Sequence, residues 1–232
     1  MPQLPLNQKK QRRGGIYWNP KDGKPYLSVT HILSIIEKEG LRYWFGEQVY
    51  WGMVEDPTLD KKTALALPYQ KSNKAKDRGT TIHSVIEMWK QSQRQIKGLP
   101  EALRGYADAF YKWVDQENVE ILDQEKTVFS LVHKTAGTLD LRVKLGKSKR
   151  KMIIDSKTSE KGVWYPETQL QLSAYWDMLE EEADGIAVLV LDPKGNFNYK
   201  EFDQNVEAFL AAKTLFLWKN PDIATLMEKY WG

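Results

Sequence analysis

Gly137-Thr138-Leu139-Asp140-Leu141, followed by Met152-Ile153-Ile154-Asp155-Ser156-Lys157-Thr158, is the stretch on which the fold turns. Both runs have the apolar character of strands buried on at least one face, yet each carries a carboxylate that such a strand holds only if something positive neutralises it. The segment between them, Gly146-Lys147-Ser148-Lys149, has turn composition. A hairpin centred between Lys147 and Ser148 sets Asp140 opposite Asp155, with Cβ atoms roughly 4.5 to 5.5 Å apart. Like charges so opposed are destabilising unless a divalent cation lies between them. Lys157 is two residues past Asp155 and shares its face of the strand. Two acids and a lysine around a hard cation suit phosphodiester cleavage.

The rest of the chain supplies a frame for this hairpin. Upstream, Pro100 to Asn118 reads as a helix buried through Leu103, Tyr106, Phe110 and Val114, and Val119 to Leu131 as a first strand. Strands at Thr135 to Leu145 and Arg150 to Lys157 follow. Pro166 then opens a helix through Leu172, Tyr175 and Leu179, closed by the acidic run Glu180 to Asp184. Ile186 to Leu191 is a continuous apolar strand, Phe197 to Phe202 its partner across an Asp-Pro-Lys-Gly turn, and Gln204 to Lys219 a closing helix. The order helix, three strands, helix, two strands, helix predicts an α/β fold with a mixed central sheet flanked by helices.

Before this core, Ile16 to Leu27 pairs aromatic strand-formers across an Asp-Gly turn, and Ser28 caps a helix that breaks at Gly40 and resumes from Tyr43 to Met53. Glu55 to Asp77 reads as a polar linker or lid with two prolines. Ile82, Val85, Ile86 and Trp89 form the stripe of an amphipathic helix, with His83 at its edge and Glu87 one turn on. These features divide the chain into an N-terminal basic arm, hairpin and helical cap over 1–77 and a core over 78–232.

Length and composition narrow the class. The 232 residues are 41% hydrophobic and include nine Trp, enough for a real core. A formal charge of +3 puts any polyanion site in local clusters: Lys9, Lys10, Arg12 and Arg13; Lys71, Lys74, Lys76 and Arg78; and the lysines and Arg150 around the hairpin tip. The absence of cysteine excludes disulfides, cysteine nucleophiles and iron–sulfur clusters. No run is apolar and long enough to span a membrane, and Met1 to Gly15 lacks the apolar core of a secretory signal, so a cytoplasmic protein is expected. The basic start leaves mitochondrial import open, although it lacks serine and an amphipathic helix.

The succession Arg78-Gly79-Thr80-Thr81-Ile82-His83, Glu125, Gly137-Thr138-Leu139-Asp140, Ile154-Asp155-Ser156-Lys157-Thr158 and Gln171-Leu172-Ser173-Ala174-Tyr175 resembles the PD-(D/E)XK nuclease superfamily. Within it, the pattern is similar to the branch holding the RecB nuclease domain, phage exonucleases and the mitochondrial genome maintenance exonuclease. Two departures stand out: Gly137-Thr138-Leu139-Asp140 replaces Pro-Asp, and Asp155 stands where other members carry Glu. The resemblance implies a restriction-endonuclease-like core and a Mg²⁺- or Mn²⁺-dependent deoxyribonuclease. It implies His83, Asp140, Asp155 and the Ser156 carbonyl as metal ligands, and Lys157 orienting water or stabilising phosphoryl charge. Glu125 would be a supporting acid, and Gln171 and Tyr175 a pair contacting the DNA backbone. Arg78, Lys74, Lys76, Trp44 and Tyr165 would join Gln171 and Tyr175 in binding the nucleic acid. An exonuclease acting on single-stranded DNA or DNA ends and leaving 5′-phosphates is the leading expectation. The alternatives are a flap or junction endonuclease and a non-catalytic nucleic-acid-binding subunit. No Gly-x-x-x-x-Gly-Lys-Ser/Thr loop occurs, so any ATP-driven strand separation has to come from a helicase or recombination partner.

Overall fold

The computed structural model describes residues 12–92, 99–160, 162–179 and 183–232. Lys9 and Lys10 of the basic arm, the side chain of Trp89 and the acidic residues 180–182 lie outside the described residues. The chain is a mixed α/β fold, with one eight-stranded mixed sheet flanked by helices. Three short strands, β1 (Arg12–Arg13), β2 (Ile16–Trp18) and β3 (Pro25–Ser28), form an antiparallel set, the β2–β3 turn carrying Asp22-Gly23 as the aromatic pattern predicts. Strands β4 (Val119–Ser130), β5 (Thr135–Leu145) and β6 (Lys151–Thr158) make an antiparallel meander. Strand β7 (Gly185–Leu191) adds parallel to β6, and β8 (Phe197–Phe202) antiparallel to β7.

Strand β5 organises the sheet. One of its edges is filled by β4 along Thr135–Leu145. The opposite edge is shared: β3 pairs parallel at Thr135 and Ala136, and β6 pairs antiparallel from Leu141 to Lys144. Between these two partners, residues 137–140 have no strand on that edge. Asp140 therefore lies at the mouth of a split in the sheet.

Two cores cover the two faces. Alternate residues of β6 point to opposite sides of the sheet, and Met152 and Ile154 belong to one core while Ile153 belongs to the other. The first core packs α3 (Lys61–Ser92) and α4 (Glu101–Glu117) through Ile82, Val85, Phe110 and Trp113. The second packs α5 (Glu167–Met178), α6 (Val206–Lys219) and α7 (Pro221–Trp231) through Leu172, Tyr175, Phe209, Phe216 and Met227. Each such large apolar side chain contributes about 1.5–3 kcal/mol when fully buried. Helix α4 stops at Asn118, which turns left-handed at φ 50°, and Asn205 caps α6 by accepting from the Ala208 N–H at 3.0 Å.

Four local expectations differ from the structure. The stretch read as a polar linker is helical: α3 begins at Lys61 and runs through Pro68 and across residue 77. Helix-favouring Ala, Leu, Gln and Lys dominate here, and close packing on α2 (Glu39–Glu55) outweighs the proline penalty of about 3 kcal/mol. A Cβ on Gly52 of α2 would stand 2.1 Å from Leu67 Cδ1, so a larger residue there would have to displace the end of that side chain. The break expected at Gly40 falls instead after α1 (Val29–Ile32) and a 3-10 turn (Leu33–Ile35), because Ile36 is extended at ψ 121°. Helix α7 goes beyond the closing helix read from sequence, its Pro221 at the first helical position being the signal that marks it. Ser28 holds the position before α1, but its side chain makes no capping bond to the helix backbone and meets the Thr30 hydroxyl at 3.1 Å instead.

Candidate metal centre

The split in the sheet positions the site. The register of β5 and β6 is the one the hairpin count predicts, and continuing it past Leu141 and Ile154 sets Asp140 against Asp155. The ladder ends before that pair. The Ser156 N–H, turned toward β5, is taken by the Asp140 carboxylate (Oδ2, 2.8 Å), and the Ser156 hydroxyl adds a second bond at 3.2 Å. A side chain thus replaces the main-chain partner at this point.

Strand β4 contributes a third acid in the same row. Gln124 pairs with Leu141 and Lys126 with Leu139, so Glu125 falls opposite Asp140. Glu125 itself is left-handed at φ 45°. That conformation costs an L residue on the order of 1–2 kcal/mol and is stored where surrounding structure enforces it. Its carboxylate meets His83, with Oε1 3.2 Å from Nδ1. Its neighbour Lys126 pairs with Asp123.

His83 comes from α3 on the first face, and Gln171 from α5 on the second. Both reach the row of acids because the strands have parted. His83 Nε2 lies 3.2 Å from the Ser156 carbonyl oxygen and 3.7 Å from Asp140 Oδ2. His83, Glu125 and Asp140 each offer a ligand atom, all within 4.8 Å of one another. Asp155, expected as a direct ligand, is not in this group. It is buried and tied to Lys157 (Nζ to Oδ1 2.9 Å, to Oδ2 2.7 Å) and to the Gln171 amide, which donates to Oδ1 at 2.9 Å. Glu125, expected as a supporting acid, is in the group and contacts His83. Asp155 Oδ2 has the ionic contact but no hydrogen bond of proper angle, so a buried acceptor remains for a further cation or proton.

The titration of these groups reports the field. Burial opposes a charged His83, but the Asp140 and Glu125 carboxylates outweigh it and raise its pKa to about 9. Burial pushes the Asp155 carboxyl up to about 6 against the pull of Lys157, and Asp140 adds to the rise. Burial likewise disfavours the Lys157 ammonium, yet Asp155 and Asp140 raise its pKa. Glu87 is raised by burial and by the Glu125 charge. Every one of these shifts is toward holding protons. The site is short of positive charge, and its carboxylate, imidazole and carbonyl donors could hold a divalent cation.

Of the other expected residues, Tyr175 is 2% exposed and packs on Gly137, where a Cβ would stand 2.3 Å from Tyr175 Cε1. Glycine is required there. Arg78 is half-buried, donating to Glu160 at 2.7 Å with its guanidinium over the Tyr106 ring. Lys74 and Lys76 are exposed on α3, and Trp44 is half-buried with its edge against Phe45. None of these four is in the donor group. Tyr165 lines a cleft that opens beside Lys157 and Gln171. Sequence reasoning missed the other cleft residues, among them Lys38, Arg42 and Phe45, whose helix carried no chemical motif.

No family model matches the chain, and no curated protein matches it. Solved structures do. The alkaline exonuclease LHK-Exo from Laribacter hongkongensis is similar at 10% identity over 88% of this chain and 92% of that one, with a TM-score of 0.45, and its complex with dAMP gives the same values. The crystal structure of SSO0001 is similar at 13% identity over 84% of this chain and 76% of that one, with a TM-score of 0.41. What the site can do is read from its own donor atoms. No helix among the described residues is long and apolar enough to cross a membrane.

Proposed function

We propose that the protein is a divalent-metal-dependent deoxyribonuclease that hydrolyses phosphodiester bonds. The reading is carried by one observation: an imidazole and two carboxylates converge within 4.8 Å beside a carboxylate-anchored lysine. His83, Glu125 and Asp140 would hold the cation, with the Ser156 carbonyl beside them and Asp155 next in the row. When bound, Mg²⁺ or Mn²⁺ supplies Lewis acidity toward a phosphoryl oxygen and lowers the pKa of water.

The chain's own residues do the rest. Asp155 holds the Lys157 ammonium protonated and fixed, a localised positive charge for the phosphoryl oxygens as negative charge builds on them. Gln171 fixes the Asp155 carboxylate from the opposite face, so removing its amide loosens Lys157. Glu125 orients the His83 ring through Nδ1. Water oxygen adds to phosphorus, the P–O3′ bond breaks, and a proton ends on the departing 3′-oxygen; the products are a 5′-phosphate and a 3′-hydroxyl. Single-stranded DNA or strand ends as substrate, and exonuclease action, fit the cleft beside Lys157, while Arg78, Lys74 and Lys76 offer positive charge along α3. Within the 1–77 segment, α2 and the first part of α3 serve as the cap, since β1–β3 belong to the central sheet and α3 crosses residue 77.

Digestion of end-labelled linear and covalently circular single strands with Mn²⁺ tests this, with Lys157→Ala as control. Degradation of the linear strand alone is expected. Cleavage of circles would make the enzyme an endonuclease, and equal activity in Lys157→Ala would remove the mechanism.

A further inference from the structure

The cleft beside Lys157 has a volume of about 740 Å³, within the range of small-molecule sites. One wall comes from α1, the 3-10 turn and α2, and the other from the start of α5 with Tyr165 before it. Its apolar surface is Leu33, Ile36, Leu41 and Phe45, facing the ring of Tyr165, which stays 42% exposed. The Lys38 ammonium stands 4.6 Å from the Tyr165 ring centroid, and the inner end reaches Lys157 and Gln171.

The charges in this cleft are already matched. Lys38 pairs with Glu167 at 2.5 Å, Arg42 with Glu37, and Lys157 with Asp155. Glu167 is only 12% exposed in its side chain, so a phosphate dianion that drew Lys38 away would leave a half-buried carboxylate unpaired beside it. A neutral ring carries no charge to draw Lys38 from Glu167. It finds the part of the Tyr165 ring that Lys38 leaves exposed, an aliphatic floor and, on the far side, the groups that act on phosphorus.

We propose that this cleft seats one unpaired nucleoside of the substrate strand, its base against Tyr165, Leu41 and Phe45, and that the Lys38–Glu167 pair excludes a terminal phosphate from it. The proposal rests on the nuclease reading of the adjoining site. It commits to a single strand, because a paired base brings its partner strand with it and the cleft is proposed to take one nucleoside.

Fluorescence anisotropy of internally labelled single-stranded oligonucleotides, in EDTA and at fixed ionic strength, tests it without turnover. Four substrate forms suffice: unmodified hydroxyl-ended strands, strands lacking the base at the 5′- or the 3′-terminal position, and phosphorylated strands. Removing the base at one end weakens binding by roughly tenfold or more, as loss of base–aromatic stacking does. Phosphate on that end does not tighten binding. In Tyr165→Ala the difference between intact and base-lacking ends falls below about twofold. In Glu167→Gln, which frees Lys38, the phosphorylated end gains affinity. Equal binding of intact and base-lacking ends at both termini overturns the proposal, as does a tenfold gain from a terminal phosphate in the wild type. Base-dependent binding without Mn²⁺-dependent cleavage would sink the nuclease reading and leave the cleft assignment in place. Cleavage with base-blind binding would sink the cleft assignment alone.

Discussion

Gly137→Ala is the sharpest test of how the split sheet is held. The added methyl would stand 2.3 Å from Tyr175 Cε1 and 2.9 Å from both Cζ and the hydroxyl oxygen, against roughly 3.5–4.0 Å for a comfortable contact. Cε1 of a ring that is 2% exposed must therefore move by more than about 1 Å, in a core whose neighbours Leu139, Ile153 and Leu172 are fully buried. Overpacking of this kind costs about 1–3 kcal/mol. If the ring leaves its slot, the loss approaches the burial of about 150–250 Å² of aromatic surface, or about 4–6 kcal/mol. We expect about 2–4 kcal/mol, which for a chain of this size lowers Tm by about 5–15 °C in a calorimetric scan. The double mutant Gly137→Ala/Tyr175→Ala discriminates the cause: the methyl then occupies vacated space, so its stability matches Tyr175→Ala alone. Strict additivity of the two single mutants would refute the steric account.

Asp140→Asn abolishes the Mn²⁺-dependent thermal shift and lowers hydrolysis by about 10³-fold, while Tm in EDTA stays within about 3 °C, because the amide oxygen still accepts from Ser156. Lys157→Met leaves buried Asp155 without its cation and destabilises by about 2–4 kcal/mol; Lys157→Met/Asp155→Asn recovers most of that in chemical denaturation and none of the activity. In EDTA, the raised His83 pKa gives stability that is complete below pH 6.5 and lost as pH rises through about 9, so the Tm difference between wild type and His83→Gln shrinks across that window. Asp155, also raised, adds stability that is complete below pH 3.8 and gone above about pH 6, so its effect is over before that of His83 begins. With Mn²⁺ present the His83 trend reverses, since the ion requires a neutral imidazole, and calorimetry in buffers of different ionisation enthalpy detects the released proton.

Amino-acid order by itself determined the strand and helix succession from Pro100 to Phe202, the register of the β5–β6 hairpin, and the shared face of Asp155 and Lys157. These follow from local rules: apolar periodicity, turn composition, and the two-residue repeat that puts alternate side chains on one face. Counting outward from the β4–β5 turn at Val132-His133 would also have set Glu125 opposite Asp140. The helical state of 61–77 was misread because prolines and lysines mark linkers on average, whereas here contact with α2 supplies the stabilisation.

Tertiary structure alone decided which donors meet. His83, Glu125 and Asp140 are dozens of residues or more apart or on different strands, and they converge because β5 hands its edge from β3 to β6 with a gap at 137–140. Through that gap a side chain from α3 and another from α5, on opposite faces, approach one row of acids. No periodicity encodes such a gap. It arises because two strands share one edge of β5.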